Sequence, residues 1–406
     1  MHICGIIAEF NPFHNGHAHI IKKIREVYDN TVIIAIMSGS FTQRGEVAVL
    51  DKWTRAKLAI ENGCDMAFEL PFAYATRSGE FFATGAIKIL NKLHITDSLA
   101  FGSETYNLSL LKNIAHQLDD TKTQKKIHAE VLKGASYAQG LSSAFGKEAS
   151  ILTQPNTILA VEYLRAIERT NSKITPILIE RKMSNHNDKN LCGAVSSASA
   201  IREELKKNHP DFDLIKKVVP WQTFSEIQDV NKLCFAENLF KPLLAKIYTA
   251  NFRNMREIYG INEGLENRIL TMAKTSANLN EFINNTCSKR YSKSRISRAL
   301  THILLNFTKD AAKKIDESND LYARLLAFNS VGAKILHSIK EKSQIPIIEK
   351  TTHFINEKAL YDDFENLSPL QLSLAFDIRA TNLQSLACNT HATINRDFTT
   401  PPTYIV

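Results

Sequence analysis

With 406 residues, 44% of them hydrophobic and 23% charged, the chain can bury a large core, is expected to divide into two domains, and is not globally disordered. Fifty Lys and Arg against 42 Asp and Glu leave a net charge of +8, which points to a polyanionic partner. No uncharged run approaches the roughly 20 residues that a membrane span needs, so no membrane partner is expected.

The first two hundred residues alternate strand and helix patterns. Residues 3–8 form a short apolar run, and Ile20, Ile21, Ile24 and Val27 then recur at helical spacing. The apolar start is interrupted by Glu9, Asn11 and Pro12, so no signal peptide is expected. Residues 31–37 are rich in β-branched side chains and read as a strand buried on both faces. A loop follows at Ser38-Gly39-Ser40, and Asp51 is placed to cap a helix through Ile60. Residues 65–70 read as a third strand closed by Pro71, residues 80–93 as a helix, residues 98–101 as a strand ending at Gly102, and residues 174–179 as the last strand. Repeated β-α-β units imply a parallel sheet covered on both faces, with ligands bound at the carboxyl ends of its strands. Residues 5–10, 38–45, 69–71, 102–104 and the chain after Glu180 are expected at that edge. After about residue 202 strand-like runs almost vanish, and helical spacing dominates, as in Ile296, Ala299, Leu300, Ile303, Leu304 and Phe307. The fold expected is α/β: a Rossmann-like parallel-sheet domain over 1–205, then a mostly helical domain over 206–406.

Between the first strand and first helix lies His14-Asn15-Gly16-His17, an H-x-G-H turn. Free N–H groups and the helix dipole converge there on an anion. Two histidines three apart fall on one side of the helix start, aimed at a triphosphate, while Gly16 lets a nucleotide approach the backbone. Metal ligation and simple capping are the alternatives, but no cysteine or carboxylate stands nearby at ligand spacing. A second anion site is read in Ser196, Ser197, Ser199 and Arg202, where hydroxyls, free N–H groups and a guanidinium meet at a helix start; a serine-rich cap is its plain alternative. Weaker signals are Asn156 at a helix start, Arg181-Lys182 after the last strand, His186 and Asp188 beyond it, and Arg44 in the loop 38–45, read as a lid or a long connection. Six scattered cysteines (Cys4, Cys64, Cys192, Cys234, Cys287, Cys388) contain no C-x-x-C pair, which argues against structural zinc and a disulfide framework and fits a reducing cytoplasm.

Between residues 289 and 314 eight cations (Lys289, Arg290, Lys293, Arg295, Arg298, Lys309, Lys313, Lys314) face one acid, Asp310. Arg295 and Arg298 are expected on the polar face of a helix whose other face runs from Ile296 to Phe307. Phosphate-backbone contact by Arg290, Lys293, Arg295 and Arg298 is the functional reading, a solvated charged face the alternative.

Gly5-Ile-Ile-Ala-Glu-Phe-Asn-Pro-Phe-His-Asn-Gly-His17 resembles the start of the bacterial tRNA(Met) cytidine acetate ligases, which are H-x-G-H nucleotidyltransferase-fold proteins. Met37-Ser-Gly-Ser-Phe-Thr-Gln-Arg-Gly45, Glu69-Leu-Pro-Phe72, Phe101-Gly-Ser-Glu104, Pro155-Asn156, Lys289-Arg290-Tyr291, His302-Ile-Leu-Leu-Asn306 and Phe328-Asn329 continue the likeness over nearly the whole chain. Two departures occur. Met183-Ser-Asn-His-Asn-Asp188 replaces a Gly-aromatic-His-Asp pattern, and Ser196-Ser-Ala-Ser199 replaces Ala-Ser-Ala-Thr. The resemblance implies activation of acetate by ATP to acetyl-adenylate and acetyl transfer to the wobble cytidine of elongator tRNA(Met), with no DNA partner. It implies ATP along Ile7, Ala8, Glu9, Phe10, Asn11, Pro12, Phe13, His14, Asn15, Gly16, His17 and Ile20, with Gly102, Asn156 and Arg181 as further contacts. His14, His17, Ser197 and Arg202 are the expected catalytic residues. Mg2+ accompanies ATP by default, and no protein metal site is expected. A small-molecule adenylyltransferase and a non-catalytic RNA-binding protein remain the rival readings.

Overall fold

A computed structural model describes residues 1–135, 137–181, 197–318, 320–388 and 393–406. Lys182, His186, Asp188, Cys192 and Ser196 lie outside the described residues. The first half follows the expected alternation: β1 (His2–Ala8), α1 (Asn15–Val27), β2 (Thr31–Ser38), α2 (Lys52–Glu61), β3 (Met66–Leu70), α3 (Gly79–Lys92), β4 (Ser98–Ser103), α4 (Pro155–Arg169) and β5 (Thr175–Glu180). Strands β1–β5 are parallel, in the spatial order β5-β4-β1-β2-β3. Period-two alternation sends Ile34, Ile36, Phe68 and Leu70 into the core on one face, and Ile33, Ala35, Met37 and Ala67 into the core on the other.

The sheet also recruits the second half of the chain. β6 (Ala323–Asn329) adds antiparallel to β3, pairing Met66 with Phe328, and β7 (Ile347–Ile348) and β8 (Thr403–Ile405) both pair with β6. The near-absence of strands expected after residue 202 is therefore corrected. Ala323-Arg-Leu-Leu-Ala carries good helix formers, and only pairing along β3 together with burial turns it into a strand. Elsewhere the second half is helical. Residues 198–205 form α5 (Ala198–Leu205), and α6 (Lys293–Leu305) buries Ile296, Ala299, Leu300 and Ile303 in a third core. α7 (Pro369–Ala387) packs against the first half, where Gln384 donates to the carbonyls of Ala48 and Leu50.

Two further expectations change. Cys234 and Cys388, 154 residues apart, are joined as a disulfide, a pairing that linear spacing does not report. Glu69 does not open onto the ligand edge: it is buried against Lys52 and Arg324, because β6 lies on β3 and closes that side. No helix among the described residues is long and apolar enough to cross a membrane.

Candidate active site

Strand order reverses between β1 and β4, and a crevice opens where two neighbouring strands send their chains in opposite directions. A cavity of about 510 Å³ occupies that position, bounded by the ends of β1 and β4 and the starts of α1, α4, α5 and α6. Of the residues expected there, Ile7, Ala8, Glu9, Phe10, Asn11, His14, His17, Ile20, Gly102, Asn156, Arg181, Ser197 and Arg202 line it together. Pro12, Phe13, Asn15 and Gly16 do not: Phe13 is packed in the core, and Asn15 donates outward to the carbonyl of Lys217.

The H-x-G-H turn is held by its own histidines. Phe10 adopts a left-handed backbone (φ 47°), costly for a bulky residue by about 1–3 kcal/mol, and so turns the chain sharply out of β1. His14 caps α1, its Nδ1 accepting from the N–H of Gly16 at 3.0 Å; His17 Nδ1 accepts from the N–H of His14 at 3.2 Å. The rings stack with centroids 3.8 Å apart. Gly16 thus serves the cap rather than the cavity wall. A neutral imidazole that accepts at Nδ1 carries its proton at Nε2. Burial, reinforced by Arg181 and Arg202, drives His14 down to about 3, and burial with His14 beside it drives His17 well below its usual value. Each is therefore a fixed Nε2–H donor, and no described residue takes either Nε2. Capping and ligand binding, alternatives in the sequence, are here one arrangement.

The cations are oriented just as closely. The Glu104 carboxylate accepts from the N–H of Thr157 (2.8 Å) and from Asn156 Nδ2 (2.6 Å); Asn156 Oδ1 in turn accepts from Arg181. Burial works against the Glu104 charge, but these hydrogen bonds outweigh it and hold the carboxyl below its usual value. Gly102 has no Cβ to obstruct the stem of Arg181, which would lie 3.3 Å from one. Ser197 caps α5, accepting from the N–H of Ala200 at 3.2 Å. Helix α5 begins at Ala198, not at Arg202; the arginine lies a turn inside and reaches the carbonyl of Asn11 (2.9 Å) and Glu46 Oε2 (2.7 Å). Arg55, which sequence reasoning missed, donates to the carbonyls of Glu9 (2.6 Å), Ser38 (3.1 Å), Leu50 (3.1 Å) and Gly39, and so ties the ends of β1 and β2 together. A lone arginine inside an amphipathic helix carries no local signal of such a role.

The loop 38–45 is braced at both ends. Ala48 donates to the carbonyl of Ser40, and Thr301 of α6 donates to that of Gly45. Arg298 is the one basic-run residue among Arg290, Lys293, Arg295 and Arg298 that lines the cavity, with Ser294 beside it. Arg290 and Lys293 are exposed, and Arg295 lies 4.7 Å over the Tyr291 ring. The expectation that Arg298 shares a solvent face with Arg295 is thus corrected: α6 packs its first turns across the loop 38–45, which covers Arg298. Among the described residues no three His, Cys, Asp or Glu side chains cluster as a metal site. Glu9 and Glu46 at the cavity are engaged by the Gln43 N–H and by Arg202, so Mg2+ arriving with ATP would be held by phosphate oxygens and water.

The family model for HIGH nucleotidyl transferases matches residues 1–397. A tRNA(Met) cytidine acetate ligase of Clostridium novyi is 35% identical over 417 residues, covering all of both chains, and one of Thermoanaerobacter sp. (strain X514) is 37% identical over 99% of each. The crystal structure of Thermotoga maritima TmcAL bound with alpha-thio ATP superposes with a TM-score of 0.90 at 29% identity over the full length of both chains.

Proposed function

The chain belongs to the tRNA(Met) cytidine acetate ligases within the HIGH nucleotidyl transferases, and from that membership we propose how its residues share the work. The enzyme activates acetate with ATP and passes the acetyl group to the wobble cytidine of elongator tRNA(Met). ATP lies along the H-x-G-H turn and the ends of β1 and β4, with Gly102, Asn156 and Arg181 on the nucleotide. An acetate oxygen attacks the α-phosphorus, the bond to the β-phosphate oxygen breaks, and pyrophosphate leaves. The Nε2–H groups of His14 and His17 donate to the phosphate oxygens that gain charge, while Ser197 and Arg202 meet the departing pyrophosphate. The cytidine amine then attacks the acetyl carbonyl carbon. The carbon–oxygen bond to AMP breaks, and the departing phosphate accepts the amine proton. Residues 206–406 hold the tRNA through Arg290, Lys293 and Arg295, and the reaction takes place in the cytoplasm.

The observation supporting this reading most is the pair of neutral histidines with Nδ1 occupied by backbone N–H groups, which leaves donors rather than bases or metal ligands facing a cation-lined cavity. Mass spectrometry of tRNA nucleosides after incubation with ATP and acetate should reveal N4-acetylcytidine, accompanied by acetate-dependent exchange of pyrophosphate into ATP. Exchange supported by a phosphorylated small molecule and not by acetate would instead identify an adenylyltransferase of cofactor synthesis. Binding of tRNA without ATP turnover would identify a non-catalytic RNA-binding protein.

A further inference from the structure

The cations of α6 form one run in the sequence, yet the fold separates them. Ser294 and Arg298, four residues apart and stacked on one side of the helix, line the cavity that also holds His14, His17 and Arg202. The close approach depends on Gly45. Its backbone is left-handed (φ 75°), and a Cβ there would lie 2.5 Å from the Arg298 nitrogen. Arg298 Nη1 donates to the carbonyl of Gln43 at 3.4 Å, and the N–H of the same residue donates to Glu9 Oε1 at 2.8 Å. Gln43 therefore links the end of β1 to a guanidinium from the far half of the chain. No carboxylate among the described residues pairs with Arg298, and burial lowers it to about 10. A guanidinium has five N–H donors, and a shielded cation with most of them unused is costly until an anion meets it.

We propose that Arg298 is a catalytic residue of acetyl transfer, holding a phosphate of the acceptor nucleotide so that its exocyclic amine faces the acyl-adenylate. The proposal rests on the ligase reading above. The phosphates of ATP already have His14, His17, Arg181 and Arg202. Arg298 stands where the outer cations meet the cavity: at 1.5 Å per residue it lies about 7.5 Å along the helix from Lys293. An RNA strand tracked outside by Arg290, Lys293 and Arg295 enters the site at this side chain, and a planar fork suits phosphate there better than a point charge.

The test compares full-length wild type with Arg298→Gln, Arg298→Lys, Arg295→Glu and Thr301→Val, using acetate-dependent pyrophosphate exchange, acetylation of tRNA(Met) at saturating tRNA, and tRNA affinity. Arg298→Gln should lower the acetylation rate by about 10²-fold or more while exchange falls far less, a ratio typical of losing a donor used in only one transition state. Arg298→Lys should recover only a small part. Arg295→Glu should weaken tRNA affinity more than it slows saturated acetylation. Thr301→Val, which removes the bond from α6 to the Gly45 carbonyl, should keep the wild-type ratio of acetylation to exchange. Equal losses of exchange and acetylation in Arg298→Gln, or a Thr301→Val variant that reproduces its split, would overturn the proposal. Absence of acetate-dependent exchange in wild type would instead defeat the ligase reading itself.

Discussion

Lys52 and Arg324 are buried beside the end of β3, and each is met by carboxylates. Lys52 Nζ lies 2.9 Å from Glu69 and 2.6 Å from Asp397, while Arg324 reaches the same two acids. A third acid, Asp377, accepts from the N–H of Phe72 at 2.7 Å and from Tyr322; burial and the neighbouring Glu69 push it up to about 8. Burial opposes the charge of Asp397 too, but Lys52 and Arg324 outweigh it and bring that carboxyl to about 2. Both cations are thus in contact with the carboxylates of Glu69 and Asp397, so the cluster is closed. The cavity between β1 and β4 is built on the opposite plan. Arg181 and Arg298 point into it without a carboxylate of their own in contact among the described residues, and its histidines are neutral. Low dielectric strengthens every charge interaction. Where each cation meets a carboxylate the result joins β3, β6 and the C-terminal segment; where Arg181 and Arg298 meet none among the described residues, the result is a demand for an anionic ligand.

The contrast is tested most severely by Lys52→Met, which leaves Glu69 and Asp397 sharing Arg324. Urea unfolding should register a loss of about 3–5 kcal/mol, and the double variant Lys52→Met/Glu69→Gln should lose less than the sum of the single changes. A loss under about 1 kcal/mol would mean that the cluster is not a closed unit. Next in size, His17→Ala should reduce acetate-dependent pyrophosphate exchange by about 10²–10³-fold, equivalent to some 2.7–4 kcal/mol, with a stability cost of only about 1 kcal/mol from the weakened cap. Retention of exchange within a few-fold would remove the histidines from the transition state.

The last effect concerns acid. His14 is lowered by burial to about 3, and burial lowers His17 well below its usual value. Below pH 6.5 the unfolded chain binds protons that the native one refuses, so their stabilisation is present above that pH and is lost as pH falls toward 3. Each lowers stability progressively as pH falls. The melting temperature should therefore decline from pH 6.5 downward, and less steeply in His17→Ala. An identical slope in that variant would show that His17 is not held neutral by the fold.

Much of this is legible in the sequence. The strands β1–β5 and the H-x-G-H turn follow from periodicity and turn chemistry within a few residues of each other. Residues at the carboxyl ends of β1 and β4 share one edge because parallel topology leaves a ligand little choice of place. Basic charge in α6 was equally plain, but its direction was not. Arg295 and Arg298 look alike along the chain; one lies on Tyr291 and the other enters the cavity, since Gly45 and Thr301, 256 residues apart, bring the loop 38–45 against α6. The helix-forming composition of β6, the partners of Glu69 and Arg55, and the pairing of Cys234 with Cys388 depend in the same way on segments remote in sequence. Local pattern determined the elements and the chemistry of the opening turn. Tertiary packing alone decided which buried charges find partners and which are left to face a ligand, because that balance is set by neighbours no sequence window contains.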